Sequence, residues 1–245
     1  MTALDGGSVP TARRIDLNAD LGEGVTDDAG LLGVVTSANV ACGFHAGDHA
    51  VMRTVCEGAA TQGVVVGAQV SYRDRDGFGR RPMDVAADVL ADWVAEQVEA
   101  LRVAARAAGI DVAYVKPHGA LYHRVVDDHE QARAVLEGSG DLPVLGLPGS
   151  ALLDLAGQQG RTVVPEGFPD RGYTPDGRLV PRTEPGALVH GADEVAAHAL
   201  ALVATGSVRT VCVHGDSPGA VRTAYAVRRA LQEAGHEVRA WLDGS

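Results

Sequence analysis

The chain alternates short apolar, β-branched runs with longer segments of helical periodicity, and this alternation restricts the fold more than any other feature. Such βα units build parallel sheets, whose strands are buried beneath helices. Strands are predicted at residues 14–18, 36–40, 64–70, 112–116, 143–147, 162–165, 187–190 and 210–214. Seven or eight strands in 245 residues predict an α/β fold, a parallel β/α barrel, for which about 250 residues is an ordinary length.

A doubly wound open sheet is the alternative that this pattern leaves open. No GxGxxG follows the first predicted strand and no GxxxxGK[ST] occurs, so the common phosphate-binding loops of open sheets are missing. We therefore favour the barrel. We expect one domain over residues 1–245, in which residues 1–13 form a flexible N-terminal segment.

Helix boundaries are predicted from capping residues. One helix is expected to begin after Asp84, a good N-cap, and to end at Gly109. Another is expected to begin at Ser217 and Pro218, with serine as the cap and proline in the first turn. Residues 167–185 are the longest irregular stretch, rich in Pro, Gly and Arg, and predict a long loop over one end of the barrel.

Charge and composition exclude several classes of partner. The net charge of −11 argues against nucleic acid, because phosphate binding needs clustered basic residues. No segment approaches the length of a membrane span, and residues 1–14 lack the apolar core of a signal peptide, so we expect a cytoplasmic protein with no membrane partner. Cys42, Cys56 and Cys212 lack CxxC spacing, which indicates neither a disulfide framework nor a thiolate zinc site.

Polar side chains gather where most of the predicted strands end. In a parallel barrel these ends share the C-terminal face, where active sites are built. In chain order the residues are Asp16, Asn18, Asp20, Glu23, Ser37, Asn39, His45, Asp48, Gln69, Ser71, Tyr72, Lys116, His118, Glu166, Asp170, Arg171, His214 and Asp216. For Asp48 and Asp216, each just before a predicted helix, capping is an equal alternative.

The first strand predicts a buried group of carboxylates. Asp16, Asn18 and Asp20 alternate with apolar residues, so their side chains point to one side, into the barrel or its mouth. Carboxylates so close together need a cation, which a metal, Lys116 or an arginine can supply. Lys116 is the only lysine among 21 basic residues. A compact ammonium with a tunable pKa does work that arginine cannot do, so we predict a functional role for it.

Histidines and arginines add two further predictions. His45, His118 and His214 approach from other strands, and with an Asp they suit either a divalent metal or acid–base chemistry. No HExxH occurs, so a metal site at Asp20, His45 and His118 is only a tentative assignment. The arginines that follow flexible turns are candidates for binding a carboxylate or phosphate; they are Arg80, Arg81 and Arg171.

Six runs of the chain carry a resemblance to a known family. They are DLNADLGE at 16–23, SANVACGFHAGD at 37–48, GFGRR at 77–81, VKPHGALY at 115–122, DRGY at 170–173 and CVHGD at 212–216. In this order, from about residue 15 to residue 231, they resemble the motifs of the LamB/YcsF family, the family of the 5-oxoprolinase A subunits. Several long motifs in register make the resemblance specific.

The resemblance implies a fold, an activity and partners. The fold is a barrel of the glycoside hydrolase/deacetylase type, and the activity opens the lactam of 5-oxo-L-proline to L-glutamate with ATP hydrolysis, together with subunits B and C. The missing phosphate-binding loop then suggests that ATP is handled by the partner subunits or by an unconventional site spread across the barrel mouth. In this interpretation the catalytic residues are Asp20, His45, Lys116 and His118. Residues expected to bind the substrate are Asn18, Asn39, Gln69, Arg80, Arg81, Glu166, Arg171, His214 and Asp216.

The chain departs from the family pattern at a few positions. Gln69 stands where the family usually has histidine, and glutamine hydrogen-bonds a lactam or phosphate but neither shuttles protons nor binds zinc well. His123 stands where asparagine is usual, and Gly167 and Pro169 alter the run before Arg171. Two alternative functions stay open: a metal-dependent deacetylase or amidohydrolase acting on a small amide, and a non-catalytic lactam-binding subunit.

Overall fold

The computed structural model describes residues 13–25, 27–215 and 219–242. Its barrel strands are β1 (Arg14–Leu21), β2 (Ser37–Ala41), β3 (Val65–Val70), β4 (Val112–Pro117), β5 (Val144–Gly146), β6 (Val163–Gly167) and β7 (Thr210–Val213). Each strand is parallel to its neighbours, and β1 pairs with both β2 and β7, which closes the sheet. The predicted parallel barrel is confirmed, with seven strands among the described residues, and the open sheet is wrong.

Helices connect the strands on the outside of the barrel. They are α1 (Asp28–Leu32), α2 (His49–Gln62), α3 (Ala87–Ala107), α4 (Gly119–Arg124), α5 (His129–Ser139), α6 (Ala151–Gln158), α7 (Ala192–Ala204) and α8 (Ala220–Glu233). A short strand, β8 (Glu237–Val238), pairs with the start of β1. Within this part of the chain, no helix is both long and apolar enough to cross a membrane.

The strand predicted at residues 187–190 is wrong. Leu188 makes only an isolated antiparallel bridge to Arg171, and its side chain is 42% exposed. The run is part of the long connection between β6 and α7, which folds back on itself through a second bridge between Tyr173 and Leu179. Residues 187–190 therefore extend the loop that was predicted at residues 167–185, although most of them are apolar.

Helix ends follow the predictions only in part. Gly109 ends α3 in the left-handed region at φ 74°, as expected. Asp84 does not cap that helix, because α3 begins after Ala86, and the Asp84 carboxylate instead forms an exposed ion pair with Arg124. The predicted start of the last helix at Ser217 and the predicted flexible segment at residues 1–13, apart from Arg13, lie outside the described residues.

The barrel interior is apolar at its base and polar toward the C-terminal mouth. Successive side chains along each strand alternate between the lumen and the helices. At the base, Tyr114 and Trp241 pack edge to face, with Leu145 and Val164 beside them. Toward the mouth, the inward positions of β1 carry Asp16, Asn18 and Asp20 in place of apolar residues. The prediction that these three side chains share the lumen is confirmed.

Gly67 on β3 lets the Tyr114 ring cross the lumen. A Cβ atom at this position would lie 2.1 Å from the ring of Tyr114, whose hydroxyl donates to Asn39 Oδ1 at 2.7 Å. We predict that Gly67→Ala displaces the ring and lowers the free energy of unfolding by about 1–3 kcal/mol in urea titrations. Gly157→Ala in α6 is the control, because open space surrounds it and alanine favours helix by up to about 1 kcal/mol. Equal effects of the two substitutions would contradict this account.

Candidate functional site

A cavity of about 640 Å³ opens at the C-terminal ends of the strands. Its polar lining includes Asp20, Lys116, His118 and His214. Apolar lining comes from Tyr122 and Phe168, whose rings pack edge to face, and from Leu179 of the long loop. Three arginines also line it: Arg80, Arg171 and Arg182. The cavity therefore combines a charged interior, an aromatic wall and a cationic side, although the whole chain is acidic.

Lys116, at the end of β4, sits among groups from three other strands. Its Nζ donates to Glu166 Oε1 at 2.8 Å, to Asp20 Oδ1 at 3.3 Å and to Asn18 Oδ1 at 3.4 Å, and lies 3.2 Å from Cys212 Sγ. Lysine, aspartate and glutamate are all at least 95% buried here. The cation that the strand-one carboxylates need is therefore the single lysine of the chain.

These contacts fix the charge of the lysine and of one carboxylate. Burial alone would lower the pKa of Lys116, but Asp20 and Glu166 hold it well above its usual range. Burial would raise the pKa of Asp20, but the charges of Lys116 and His214 lower it well below its usual value. Glu166 differs, because burial raises its pKa in spite of Lys116. Near neutral pH the cavity thus holds a charged ammonium beside a charged aspartate.

Beneath this pair, a hydrogen-bond network holds the side chains in place. Asn39 Nδ2 donates to Asn18 Oδ1 at 2.7 Å and to Asp20 Oδ1 at 2.9 Å. Asn18 Nδ2 in turn donates to Glu166 Oε1 at 2.9 Å. At the next level down, Asp16 accepts from three hydroxyls, while burial raises its pKa. The donors to Asp16 are Thr36, Ser37 and Thr210.

His214, just after β7, forms a second polar group with Asp170 of the long loop. The Asp170 carboxylate lies 2.8 Å from His214 Nδ1 and also accepts from its backbone N–H at 3.1 Å. Burial alone would lower the pKa of His214, but Asp170 raises it above its usual value. The ring stacks on Phe168 at 5.4 Å, and its Nε2 has no hydrogen-bond partner in the part of the chain that the structure describes. His214 is thus a ring at the cavity wall that is protonated more readily than a free imidazole.

His45 and His118 form a third group together with Glu23 and Gln69. The two rings stack with centroids 4.0 Å apart, and one ligand atom from each histidine and from Glu23 lie within 4.8 Å of one another, a spacing that suits a divalent metal. The Gln69 side chain lies among them and hydrogen-bonds all three. Burial and the nearby His45 lower the pKa of His118 well below its usual value.

The loop after β3 directs the neighbouring side chains of Arg80 and Arg81 to different places. Phe78, at a left-handed φ of 56°, points its carbonyl oxygen at His118 Nε2, 3.1 Å away, and Arg80 lies over its ring at 5.0 Å. Arg80 lines the cavity. Arg81 does not line it, and Asp74 accepts from its backbone N–H and contacts its guanidinium, whose side chain is 66% exposed. That Arg81 binds the substrate stays a prediction.

Comparisons with known proteins show which family the chain belongs to. The sequence profile of the LamB/YcsF family matches residues 15–244. The chain belongs to the LamB/YcsF family. A protein of Streptomyces coelicolor, named as the A subunit of 5-oxoprolinase, is 60% identical over 242 residues, which cover 90% of this chain and 97% of that protein. The predicted family membership is confirmed.

Solved structures agree on the fold. A lactam utilization protein from Thermus thermophilus superposes with a TM-score of 0.87 at 38% identity, covering 93% of this chain and all of that one. The catalytic domain of a peptidoglycan N-acetylglucosamine deacetylase from Eubacterium rectale gives a TM-score of 0.52 at 13% identity, covering 95% and 90%. At that identity only the barrel architecture is shared, and it is the deacetylase type that the sequence predicts.

The predicted site residues fall into two layers. Those that line the cavity are Asp20, Arg80, Lys116, His118, Arg171 and His214. Four others lie buried behind this lining and hydrogen-bond to it; they are Asn18, Asn39, Gln69 and Glu166. His45 is also buried there and contacts the lining by stacking on His118. Two guanidinium nitrogens of Arg171 bind loop carbonyls of Val180 and Ala187, so this arginine also holds the loop. Asp216 lies outside the described residues.

Several residues of the site were not predicted to be catalytic or substrate-binding. Glu23 and Asp170 stand at strand ends beside predicted site residues, so their position in the sequence was an available signal. Tyr122 and Phe168 form the aromatic wall, and Tyr122 belongs to the same run as Lys116. Tyr122 Oη and Glu166 Oε2 are buried and lack a hydrogen-bond partner among the described residues, which makes them candidates for contact with a ligand. Nothing in the sequence indicated Arg182.

We predict that Lys116→Met destabilises the protein in a pH-dependent way. Without the ammonium, burial raises the pKa of Asp20 and Glu166 above their ordinary values of 3.8 and 4.5, so the folded state resists their ionisation. The loss relative to wild type is therefore smaller at about pH 4 than at about pH 7, where it reaches about 3–5 kcal/mol. Chemical unfolding at both pH values measures it.

The control for this variant is Arg53→Met, which breaks an exposed ion pair with Glu57 in α2. An exposed pair of this kind contributes about 0–1 kcal/mol. Its loss is expected to change little between the two pH values. A Lys116→Met deficit that is equally small, or that does not grow with pH, would mean that the lysine does not neutralise the buried carboxylates.

Proposed function

We propose that this chain is the A subunit of an ATP-dependent 5-oxoprolinase, which hydrolyses the lactam of 5-oxo-L-proline to L-glutamate. Two observations support the proposal: the 60% identity to a protein named as the A subunit of 5-oxoprolinase, and the charged Lys116–Asp20 pair at the floor of a small cavity. The Lys116–Asp20 pair carries the proposal. Its ammonium can donate a hydrogen bond to the lactam oxygen, and its carboxylate can accept one from a water molecule.

The cavity suits the size and charge of this substrate. The lactam is a five-membered ring with one carboxylate, and the arginines at the side of the cavity suit that carboxylate. Phe168 and Tyr122 provide an aromatic surface for the ring carbons. Burial raises the pKa of Tyr122 well above its usual value, so its hydroxyl keeps its proton and serves as a hydrogen-bond donor to the bound ring.

Each polar group has a distinct task in opening the ring. Lys116 stabilises the negative charge that develops on the lactam oxygen when water attacks the carbonyl carbon. Asp20 orients that water and accepts its proton. His214, kept protonated by Asp170, gives a proton to the ring nitrogen as the carbon–nitrogen bond breaks. The products are a carboxyl group and a free amine, which is glutamate.

ATP hydrolysis and the partner subunits complete the activity. A five-membered amide is unstrained and resists water, so coupling to ATP supplies the driving force. The sequence has no Walker-type phosphate loop, and we assign nucleotide binding to partner subunits B and C. A deacetylase activity is not proposed, because the solved deacetylase shares only the fold.

A divalent metal does not fit the site in its present arrangement. The ligand atoms with suitable spacing belong to Glu23, His45 and His118, and the tentative assignment of Asp20 to this set is not supported, because that carboxylate binds Lys116 and Asn39. All three atoms already hydrogen-bond the amide of Gln69 or face it. The proposed ring opening therefore uses no metal.

The test is glutamate release from 5-oxoproline by the purified chain, with and without ATP and subunits B and C. We expect turnover only in the complete mixture. In that mixture Arg80→Ala should raise the KM for 5-oxoproline about tenfold or more, the effect of losing a charge-assisted contact of about 1.4 kcal/mol. Arg81→Ala, outside the cavity, should stay within about twofold of wild type. No turnover in the complete mixture, or equal effects of the two arginines, would contradict the proposal.

We predict that Asp170→Asn shifts the pH dependence of turnover. Because the folded-state pKa of His214 is raised above 6.5, its protonated form persists to higher pH than that of a free imidazole, and the stability linked to it is lost as pH rises through the folded pKa. Without the Asp170 charge, burial lowers that pKa below 6.5. The alkaline limb of the kcat profile should move down by about one pH unit or more.

Titration of His214 by NMR reports the same shift without turnover. Asp84→Asn is the control, because this carboxylate is 92% exposed and pairs with Arg124 away from the cavity. Its pH profile should match that of wild type. An unchanged His214 pKa in Asp170→Asn would show that the carboxylate does not set the proton affinity of this ring.

A further inference from the structure

We propose that the amide of Gln69 occupies the position of a cation between Glu23, His45 and His118, and that it fixes which ring nitrogens carry protons. The cluster is then a hydrogen-bonded support behind the cavity wall, and Gln69 is its positioning residue. This inference concerns the resting protein and holds whichever reaction the cavity performs.

The three contacts of one side chain carry the inference. Gln69 Nε2 lies 3.0 Å from Glu23 Oε1 and 2.9 Å from His118 Nδ1, and Gln69 Oε1 lies 3.2 Å from His45 Nε2. Glu23 Oε1 also lies 3.7 Å from His45 Nε2 and 3.6 Å from His118 Nδ1, and the three residues can each offer a metal ligand atom within 4.8 Å of the others. The amide is fully buried and comes from β3, between the strands that lead to the two histidines.

Glu23 determines which way the amide points. A carboxylate accepts hydrogen bonds and donates none, so the NH₂ group of Gln69 must face Glu23. That group has two hydrogens, and the second reaches His118 Nδ1. The opposite orientation would place the amide oxygen against the carboxylate oxygen, where neither atom has a hydrogen to share. Gln69 Oε1 therefore faces His45.

The proton position on His118 is set independently from its other side. Its Nε2 lies 3.1 Å from the carbonyl oxygen of Phe78, which only accepts, so Nε2 carries a hydrogen. The Nδ1 lone pair is then free to accept from Gln69, in agreement with the amide orientation that Glu23 requires. Phe78 holds its carbonyl there in a left-handed conformation that is unfavourable for a non-glycine residue. Two separate constraints thus give the same tautomer.

His45 receives its proton position from Gln69. Because Gln69 Oε1 only accepts, His45 Nε2 carries a hydrogen. Ser71 Oγ lies 2.9 Å from His45 Nδ1, and its hydroxyl donates to the carbonyl oxygen of Tyr72 at 3.0 Å. Gln69 therefore requires a hydrogen on Nε2 of His45, as Phe78 does on Nε2 of His118.

A metal in this cluster would have to undo all of these contacts. It would displace the amide, break its hydrogen bonds to Glu23 and His118, and need a lone pair where His45 Nε2 has a hydrogen. Histidine at position 69 would remove this obstacle, since a neutral imidazole ligates readily. Gln69 thus keeps the cluster free of metal, and the proton-transfer roles predicted for His45 and His118 pass to Asp20 and His214.

Titration with cobalt(II) chloride tests the metal part of the inference. We expect no binding to wild type and one equivalent with a visible d–d spectrum for Gln69→His. Gln131→His is the matched control, because Gln131 is also buried but bonds Tyr72 and Val85 outside the cluster, and it should bind none. Thermal melting checks that each variant is folded. Stoichiometric binding by wild type that His45→Ala abolishes, or binding by Gln69→His no stronger than by Gln131→His, would overturn the inference.

Long-range ¹H–¹⁵N NMR of the imidazoles tests the proton positions directly in wild type. There, Nε2 of both His45 and His118 should carry a hydrogen. In Gln69→Ala, His118 should keep that hydrogen through Phe78, whereas Nε2 of His45 should no longer be held protonated. A wild-type His45 with a hydrogen on Nδ1 and none on Nε2 would overturn the assignment. Neither measurement requires turnover, so its outcome is separate from that of the 5-oxoprolinase assay.

Discussion

The ammonium of Lys116 between Asp20 and Glu166 is the interaction on which the rest of the structure depends. A barrel of this kind ordinarily fills its lumen with apolar side chains. Here the inward positions near the mouth are polar and nearly inaccessible to solvent, and buried carboxylates without a cation would destabilise the fold severely. One lysine neutralises them from the centre of the lumen. The same charge also faces the cavity, where it can contact a bound ligand.

The groups around this ammonium divide the site into parts with separate tasks. The Lys116–Asp20 pair faces the cavity, and the Asp170–His214 pair adds a protonated ring on another side. The stacked rings of His45 and His118 lie behind the cavity wall, and the amide of Gln69 hydrogen-bonds both rings. Closure of the barrel creates this arrangement, because it brings the ends of β1, β4, β6 and β7 around one cavity.

The sequence predicted those features that follow from local periodicity. The alternation of Asp16, Asn18 and Asp20 indicated a polar lumen that needs a cation, and Lys116 was one of three kinds of cation considered for it, beside a metal and an arginine. Features that depend on how a loop folds were not predictable. The run at 187–190 has the composition of a strand but crosses the barrel end, and the adjacent Arg80 and Arg81 diverge because Asp74 holds one of them outside. The place of Gln69 among three partners likewise required the distances between strands.

The most direct measurement follows from the fact that the chain has a single lysine. Protein labelled with ¹⁵N-lysine gives one Nζ signal, which reports the charge and surroundings of Lys116 without assignment. The account predicts an ammonium that resists deprotonation to pH values at which free lysine loses its proton, and a shift of its signal when 5-oxoproline saturates the cavity. A neutral amine near physiological pH, or a signal that saturating lactam leaves unchanged, would contradict it.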